Sequence, residues 1–225
     1  MKKLTKQILL YLITSLSVIG IWKILTSTDN YAWSPEGKEL LMLEIALNAI
    51  FFYKSIFWLV TVNLIVCGLL QLRKKNFRTA GVVVALILTY HFFVGKVIDN
   101  KCAFHYYSVF QNQSVAEGYI VRPIEEAGYE IGPILTGKIE KKEMKSRVYA
   151  MLGLQRINYK PAIETMKRIL LDSSENVEYR ANAYEFLRTV ESDKSKQVIK
   201  DYKLRATDSV AKEVVRFGEY FYGSR

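Results

Sequence analysis

The chain has 225 residues, of which 50% are hydrophobic, and a formal net charge of +10. This hydrophobic content excludes a disordered or collagen-like chain, and two cysteines are too few for a disulfide scaffold. Residues 1–95 hold only 10 of the 32 basic and 4 of the 22 acidic residues, and their apolar runs are too long to leave in water. The composition therefore also excludes a single water-soluble domain.

Three stretches of the first part contain no charged residue: 7–22, 55–72 and 79–95. About 20 apolar residues are needed to cross the hydrocarbon core of a bilayer as a helix. Since lysines at the ends of a span can extend to the headgroups, each run can be lengthened by a few residues. We therefore predict a membrane domain over 1–98 with three transmembrane helices at about 7–25, 53–72 and 79–98. The first run has the basic start of a signal peptide but no small-x-small cleavage site, which favours a retained anchor.

The basic residues of the short segments between the spans predict the orientation. The N-terminus and the 73–78 link carry basic residues and no acidic residue, whereas residues 26–54 hold four acidic residues against two lysines. We therefore expect the N-terminus in the cytoplasm and the C-terminal domain outside. Short loops and compact size favour a bacterial cytoplasmic (inner) membrane and a periplasmic domain. Residues 40–53 leave an alternative open, because a fourth span there would place that domain in the cytoplasm.

An amphipathic helix is predicted over 35–52, with Ser34 as its N-cap and Pro35 at its first position. It would lie at the outer interface or continue straight into the second span. Within the spans, Asn63 and His91 are expected to hydrogen-bond neighbouring helices. No charged residue lies deep in a span, which argues against an ion pump or a voltage sensor. The transmembrane helices also offer a surface for a homo-oligomer.

An aromatic connector follows the last span over 99–115. Its rings could form an interfacial belt, the first packed helix of the outer domain, or a partner-binding surface: Phe104, Tyr106, Tyr107 and Phe110. Cys102 and His105 stand three apart, but a metal site needs three or four ligands. The remaining cysteine and histidine lie in the predicted spans, so we expect no metal.

Beyond the connector, apolar residues at helix spacing recur with an offset of 33 residues. Met144, Val148, Met151 and Leu154 correspond to Val177, Ala181, Tyr184 and Leu187, and these to Val210, Val214, Phe217 and Tyr220. Arg147 and Arg180 are in register. Second helices are predicted between these at Pro161–Leu171 and Lys194–Leu204, with a degenerate earlier pair at 117–127 and 132–141.

The segment Ile169-Leu-Leu-Asp-Ser-Ser-Glu-Asn-Val177-Glu-Tyr-Arg180-Ala-Asn-Ala-Tyr-Glu-Phe-Leu187 resembles a HEAT-type repeat. One helix ends in leucines, the chain turns through Asp and small residues, and Val-x-x-Arg-Ala-x-Ala opens the next helix. The pattern recurs from Ala206, with Glu213 in place of the arginine, so the resemblance covers about 144–221. It implies a small α-solenoid over 116–225 whose concave surface binds a partner protein. We thus predict an all-α fold of three transmembrane helices followed by a HEAT-like solenoid.

The sequence lacks the motifs of common enzymes, including a Gly-rich phosphate loop and the Gly-x-Ser-x-Gly elbow. Two histidines and two cysteines leave few nucleophile–base arrangements. We therefore predict no catalytic residue, no cofactor and no enzymatic activity. From residue 96 onward, 22 basic and 18 acidic residues are interleaved, without the basic stripe of a nucleic-acid-binding protein.

The leading hypothesis is a membrane-anchored helical-repeat scaffold that binds a partner protein at the outer face of the cytoplasmic membrane. An acidic partner would suit the basic residues that recur at helical spacing on the second helices: Lys167, Arg168, Lys196, Lys200 and Lys203. The alternative is a membrane effector, either a pore-forming oligomer or an immunity protein against a membrane-active toxin. An enzyme acting at the membrane interface is the third hypothesis.

Overall fold

A computed structural model of the chain describes residues 2–30, 35–113, 119–142, 144, 146–190 and 192–220. Across these ranges the regular structure is helical, and the prediction of an all-α chain is confirmed. The chain divides into two compact units, Met1–Ser108 and Val109–Arg225. This boundary falls inside the predicted aromatic connector.

The first unit is built from three long helices. These are α1 (Lys2–Leu25), α2 (Gly37–Arg73), and a third helix made of α3 (Phe77–Tyr90), a π-helical turn (His91–Gly95) and α4 (Lys96–Gln111). α2 packs against both α1 and α3, so the chain runs up, down and up. Within the described residues, three stretches are long and apolar enough to cross a membrane: Leu4–Leu25, Gly37–Arg73 and Phe77–Gln111.

The outward-facing surface of these helices is apolar. On α1, Leu4, Leu12 and Leu16 each expose more than half of their surface, and Leu88 and Phe92 do so on the third helix. A contiguous apolar surface of this size is unfavourable in water but suits hydrocarbon, where helices satisfy their backbone polar groups internally. The structure therefore agrees with a membrane protein of three crossings.

The second long helix, α2, is uninterrupted from Gly37 to Arg73 and passes through Lys54 without a turn. The predicted amphipathic helix and the second span are thus one helix of 37 residues, roughly 55 Å long at 1.5 Å per residue. Its N-terminus has Glu36 at the cap position without a side-chain cap bond, while Ser34 lies outside the described residues. Because the backbone does not reverse direction, residues 40–53 do not form a separate fourth span.

The third long helix continues through most of the predicted connector and contains a single wide turn. α4 includes residues 96–111, so the aromatic residues Phe104–Phe110 extend the helix of the last span. At the π-helical turn, the Phe57 ring of α2 stacks on Tyr90 at a centroid distance of 5.1 Å. A Cβ added at Gly95 would lie 3.5 Å from the same ring, in ordinary contact. The wide turn therefore packs directly around Phe57.

Beyond the end of α4, the described residues of the second unit form seven short α-helices and two 3-10 turns. The α-helices are α5 (Arg122–Ala127), α6 (Gly132–Glu140), α7 (Arg147–Arg156), α8 (Ile163–Leu171), α9 (Val177–Thr189), α10 (Asp193–Arg205) and α11 (Ser209–Tyr220). The predicted helix over 117–127 begins later, at Arg122, and residues 114–118 lie outside the described ranges. Met144 precedes α7 rather than opening it, because the chain turns at Ser146.

The core of the second unit is centred on α9, which packs against α7, α8, α10 and α11. α5 and α6 pack on α7. The largest fully buried side chains include Tyr184 and Phe186 of α9 and Met151 and Leu154 of α7. The three helices that share the 33-residue offset, α7, α9 and α11, are consecutive neighbours in this arrangement.

Candidate functional site

The predicted basic face lies on α8 and α10. Ion pairs with acidic residues of other helices neutralise part of its positive charge. The Arg168 Nη2 forms an ion pair with the Glu140 carboxylate of α6. The Lys203 Nζ lies 2.5 Å from Glu219 Oε1 of α11. Both acids come from neighbouring helices, so helix-by-helix inspection of charges misses them. Arg168 and Lys203 therefore form ion pairs inside the second unit and add little net positive charge to its surface.

The positive charge left on this face is concentrated on α10. Lys196 and Lys200 are exposed and one helical turn apart, and no ion pair of either is present in the part of the chain that the structure describes. Lys167 of α8 is half-buried. Its neighbour Glu164 pairs instead with Lys194, at 2.5 Å. The predicted five-residue surface is thus reduced to Lys196 and Lys200, with Lys167 beside Glu164.

A buried ion pair fixes the first residue of α7 to the turn before α9. The Arg147 guanidinium donates two hydrogen bonds to the Glu175 carboxylate, and Lys142 Nζ lies 2.9 Å from the same group. The Arg147 cation also lies 4.3 Å from the centre of the Tyr179 ring. The hydrogen bonds from Arg147, followed by those from Lys142, hold the pKa of Glu175 below its usual range.

The corresponding arginine of the next helix, Arg180, has different partners. Its Nε donates to the Leu170 carbonyl at the end of α8, and its Nη2 donates to the Tyr202 hydroxyl of α10. Arg147 and Arg180 are therefore both buried hydrogen-bonding residues within the unit. Their shared register, detected from sequence, corresponds to a stabilising position rather than to a binding site.

A groove between α9 and α11 is a feature that the sequence analysis missed. It has a volume of about 470 Å³ and is lined by Asn176, Val177, Glu178, Ala181, Asn182, Glu213 and Phe217. Val177 and Phe217 belong to the 33-residue apolar pattern, and the residues of such an apolar stripe usually face a core. In the structure each is half-buried, so part of the repeating apolar stripe is open on this side.

The predicted aromatic surface of the connector is mostly buried. Phe104 exposes 60% of its surface, whereas Tyr106 and Tyr107 expose 8% each and Phe110 none. The Phe110 ring packs against Tyr119 at a centroid distance of 5.6 Å. Among the four aromatic residues proposed for partner binding, only Phe104 presents its ring at the surface.

The two polar residues predicted to act within the membrane both contact a neighbouring helix. Asn63 Nδ2 lies 3.3 Å from Ser15 Oγ of α1 and donates to the Leu59 carbonyl at 2.7 Å. His91 Nε2 lies 3.1 Å from Thr61 Oγ1 of α2, at the start of the π-helical turn. Such contacts contribute about 1 kcal/mol each to the packing of membrane helices.

No arrangement of metal ligands is found within the described ranges, where three or more His, Cys, Asp or Glu side chains nowhere come together. Cys102 is buried, and the His105 ring lies 6.0 Å from that of Tyr53. Comparison with known proteins gives no match to a protein-family model, to a curated protein or to a solved structure.

Proposed function

We propose that this chain is a membrane-anchored interaction protein. Three transmembrane helices would hold a small HEAT-like α-solenoid at the outer face of a cytoplasmic membrane, where it binds an acidic partner protein. The observation that carries this proposal is the packing of α7, α9 and α11 as consecutive neighbours, at the 33-residue offset found in the sequence. Repeated helices that pack side by side form extended surfaces suited to binding proteins.

The proposed contact surface is the exposed side of α10. Lys196 and Lys200 project from it, and among the described residues neither forms an ion pair such as those of Arg168 and Lys203. Their charges are therefore available to a carboxylate-rich partner. Contacts between exposed charges weaken with salt, because the Debye length is about 8 Å at physiological ionic strength.

The proposed orientation rests on the distribution of basic residues. Arg73, Lys74, Lys75 and Arg78 cluster at the link between α2 and α3, and no acidic residue lies between Glu44 and Asp99. Such links are retained in the cytoplasm. With three crossings, the C-terminal unit then lies on the opposite side from this link.

The test is partner recovery with the tagged full-length chain extracted in mild detergent. The wild type is compared with the double variant Lys196→Glu/Lys200→Glu and with Lys141→Glu/Lys160→Glu. The control variant makes the same charge change at exposed lysines outside α10.

We expect the wild type and the control to recover the same partner, with recovery decreasing as salt is raised, and the α10 variant to lose it. Equal recovery by all three proteins would contradict the proposed surface. If expression instead arrests growth and depolarises cells, a pore-forming effector replaces the scaffold. If expression protects cells from a membrane-active toxin, the chain is an immunity protein.

A further inference from the structure

One end of the membrane unit carries several positive charges and no negative ones. At this end, residues 1–22 and 55–95 contain seven basic residues and no Asp or Glu. At the link between α2 and α3, the chain brings Arg73 and Lys74 beside Lys6 near the start of α1. No Asp or Glu stands near these cations in the sequence, and an anion bound between them would reduce their mutual repulsion.

The three cations line a defined cleft between the N-terminal part of α1 and the C-terminal end of α2. Its volume is about 400 Å³, within the range of about 300–1,000 Å³ that is usual for ligand sites. The lining residues are Lys6, Gln7, Leu10, Leu70, Arg73 and Lys74. The lining therefore combines three cations, which we call the mouth of the cleft, with Leu10 and Leu70, which we call its apolar wall.

The chemistry of the mouth matches a phosphate ester. A guanidinium such as that of Arg73 can donate two parallel hydrogen bonds to phosphate oxygens. The ammonium groups of Lys6 and Lys74 add point charges, and the side-chain amide of Gln7 adds an uncharged donor. A carboxylate would match the charge but offers fewer oxygens to so many donors.

The apolar wall favours a phospholipid over a free phosphate as the occupant of the cleft. Leu10 and Leu70 line the cleft, and Leu9 and Ile13 of α1 expose apolar surface next to Leu10 along the helix. A small soluble anion would leave this wall without a partner, whereas an acyl chain would cover it. Lys6 and Arg73 each adjoin a charge-free run of a predicted span, which places the mouth at headgroup level.

We propose that this cleft binds one anionic phospholipid, with its phosphate at Lys6, Arg73 and Lys74 and an acyl chain along Leu10 and Leu70. Basic clefts between membrane helices bind headgroups in this way. The site requires only that α1 and α2 lie in a bilayer. It is independent of the partner-binding surface on α10 and of the side of the membrane to which the cleft belongs.

The test measures lipid binding to the purified full-length chain in detergent by native mass spectrometry. The probes are phosphatidylglycerol, phosphatidylcholine with the same acyl chains, and inorganic phosphate. Two matched variants each lose one lysine and one arginine from the same end: Lys6→Gln/Arg73→Gln within the cleft and Lys75→Gln/Arg78→Gln outside its lining.

We expect phosphatidylglycerol to bind the wild type more tightly than phosphatidylcholine. At about 1 kcal/mol for each basic residue, the cleft variant should lose on the order of 30-fold in phosphatidylglycerol affinity, and the control only a few-fold. Unchanged phosphatidylcholine binding by the cleft variant would show that its helices remain assembled.

Three results would overturn the proposal. Equal losses in the two variants would assign the effect to general surface charge. Equal affinity of the wild type for the two lipids would exclude recognition of the anionic headgroup. Displacement of phosphatidylglycerol by inorganic phosphate at comparable concentration would make the site one for a soluble anion. If the cleft variant fails to fold, the lipid preference and the phosphate competition of the wild type still decide the outcome.

Discussion

The guanidinium of Arg147 holds the carboxylate of Glu175 through two hydrogen bonds, of 3.0 and 3.1 Å, although the residues lie 28 positions apart in the chain. The side chains of both residues are more than nine-tenths buried. Arg147 is the first residue of α7, and Glu175 lies in the turn that precedes α9. The pair therefore joins the starts of two neighbouring helices.

Removing the charge of Glu175 should destabilise the second unit. Glu175→Gln leaves the Arg147 cation buried without its counter-charge, and breaking such a pair costs about 3–5 kcal/mol. The measurement is denaturant unfolding of the full-length chain in detergent, followed by helical circular dichroism. Glu178→Gln, at an exposed acid in the first turn of α9, is the control and should cost less than about 1 kcal/mol. Similar losses in the two variants would mean that the pair does not form.

The same pair predicts a dependence of stability on acid. The folded-state pKa of Glu175 lies below its unfolded value, so the pair stabilises the protein above the unfolded pKa of about 4.3. That contribution is lost as the pH falls through the lower, folded-state pKa. Unfolding of the wild type and Glu175→Gln should therefore differ by a constant free energy near pH 7, and the difference should shrink below about pH 4.3. A difference that is the same at pH 7 and pH 3 would contradict this assignment.

A close approach between α5 and α7 should make one glycine intolerant of substitution. A Cβ at Gly153 would lie 2.4 Å from Ile124 Cδ1 and 2.9 Å from its Cγ2. Gly153→Ala should therefore destabilise by about 1–3 kcal/mol. Gly137→Ala is the matched control on α6, because its Cβ would meet nothing within 4 Å and alanine favours helix by up to about 1 kcal/mol. The midpoint of thermal unfolding should fall for Gly153→Ala and rise for Gly137→Ala. Equal midpoints for the two variants would rule out the close contact at Gly153.

The orientation is testable with introduced cysteines, because Cys102 is buried and Cys67 is only half-exposed. In a Cys67→Ala/Cys102→Ala background, Lys200→Cys should react with a membrane-impermeant maleimide in intact cells. Lys75→Cys, at the basic link between α2 and α3, should react only after lysis. Labelling in the reverse order would place the C-terminal unit in the cytoplasm and exclude a partner outside the cell.

The sequence predicts the helices where local chemistry is sufficient. The length of the charge-free run over 55–72 is enough to predict a transmembrane helix. The start of α9 is equally local, since the Asn176 side chain accepts a hydrogen bond from the Glu178 N–H and caps the helix.

The limits of prediction lie in contacts between distant residues. Lys54 interrupts the apolar sequence and suggests that one helix ends there and another begins. In the structure its Nζ lies 2.5 Å from Asp99 Oδ1 of α4. This ion pair accommodates the lysine within the continuous helix α2, and inspection of the sequence misses it because the partner is 45 residues away. The pairing of Lys203 with Glu219 likewise depends on how α10 and α11 are placed around α9, which helical periodicity alone does not determine.

The continuity of α2 has a geometric consequence for the N-terminal half of this helix. Residues 55–72 must match the thickness of the bilayer, and a helix accommodates a thinner bilayer by tilting. A straight rod of roughly 55 Å that tilts by a further 10° about one end moves the other end sideways by about 10 Å. Since no turn separates Gly37 from Arg73, a change in lipid thickness at one end of the rod becomes a lateral displacement at the other.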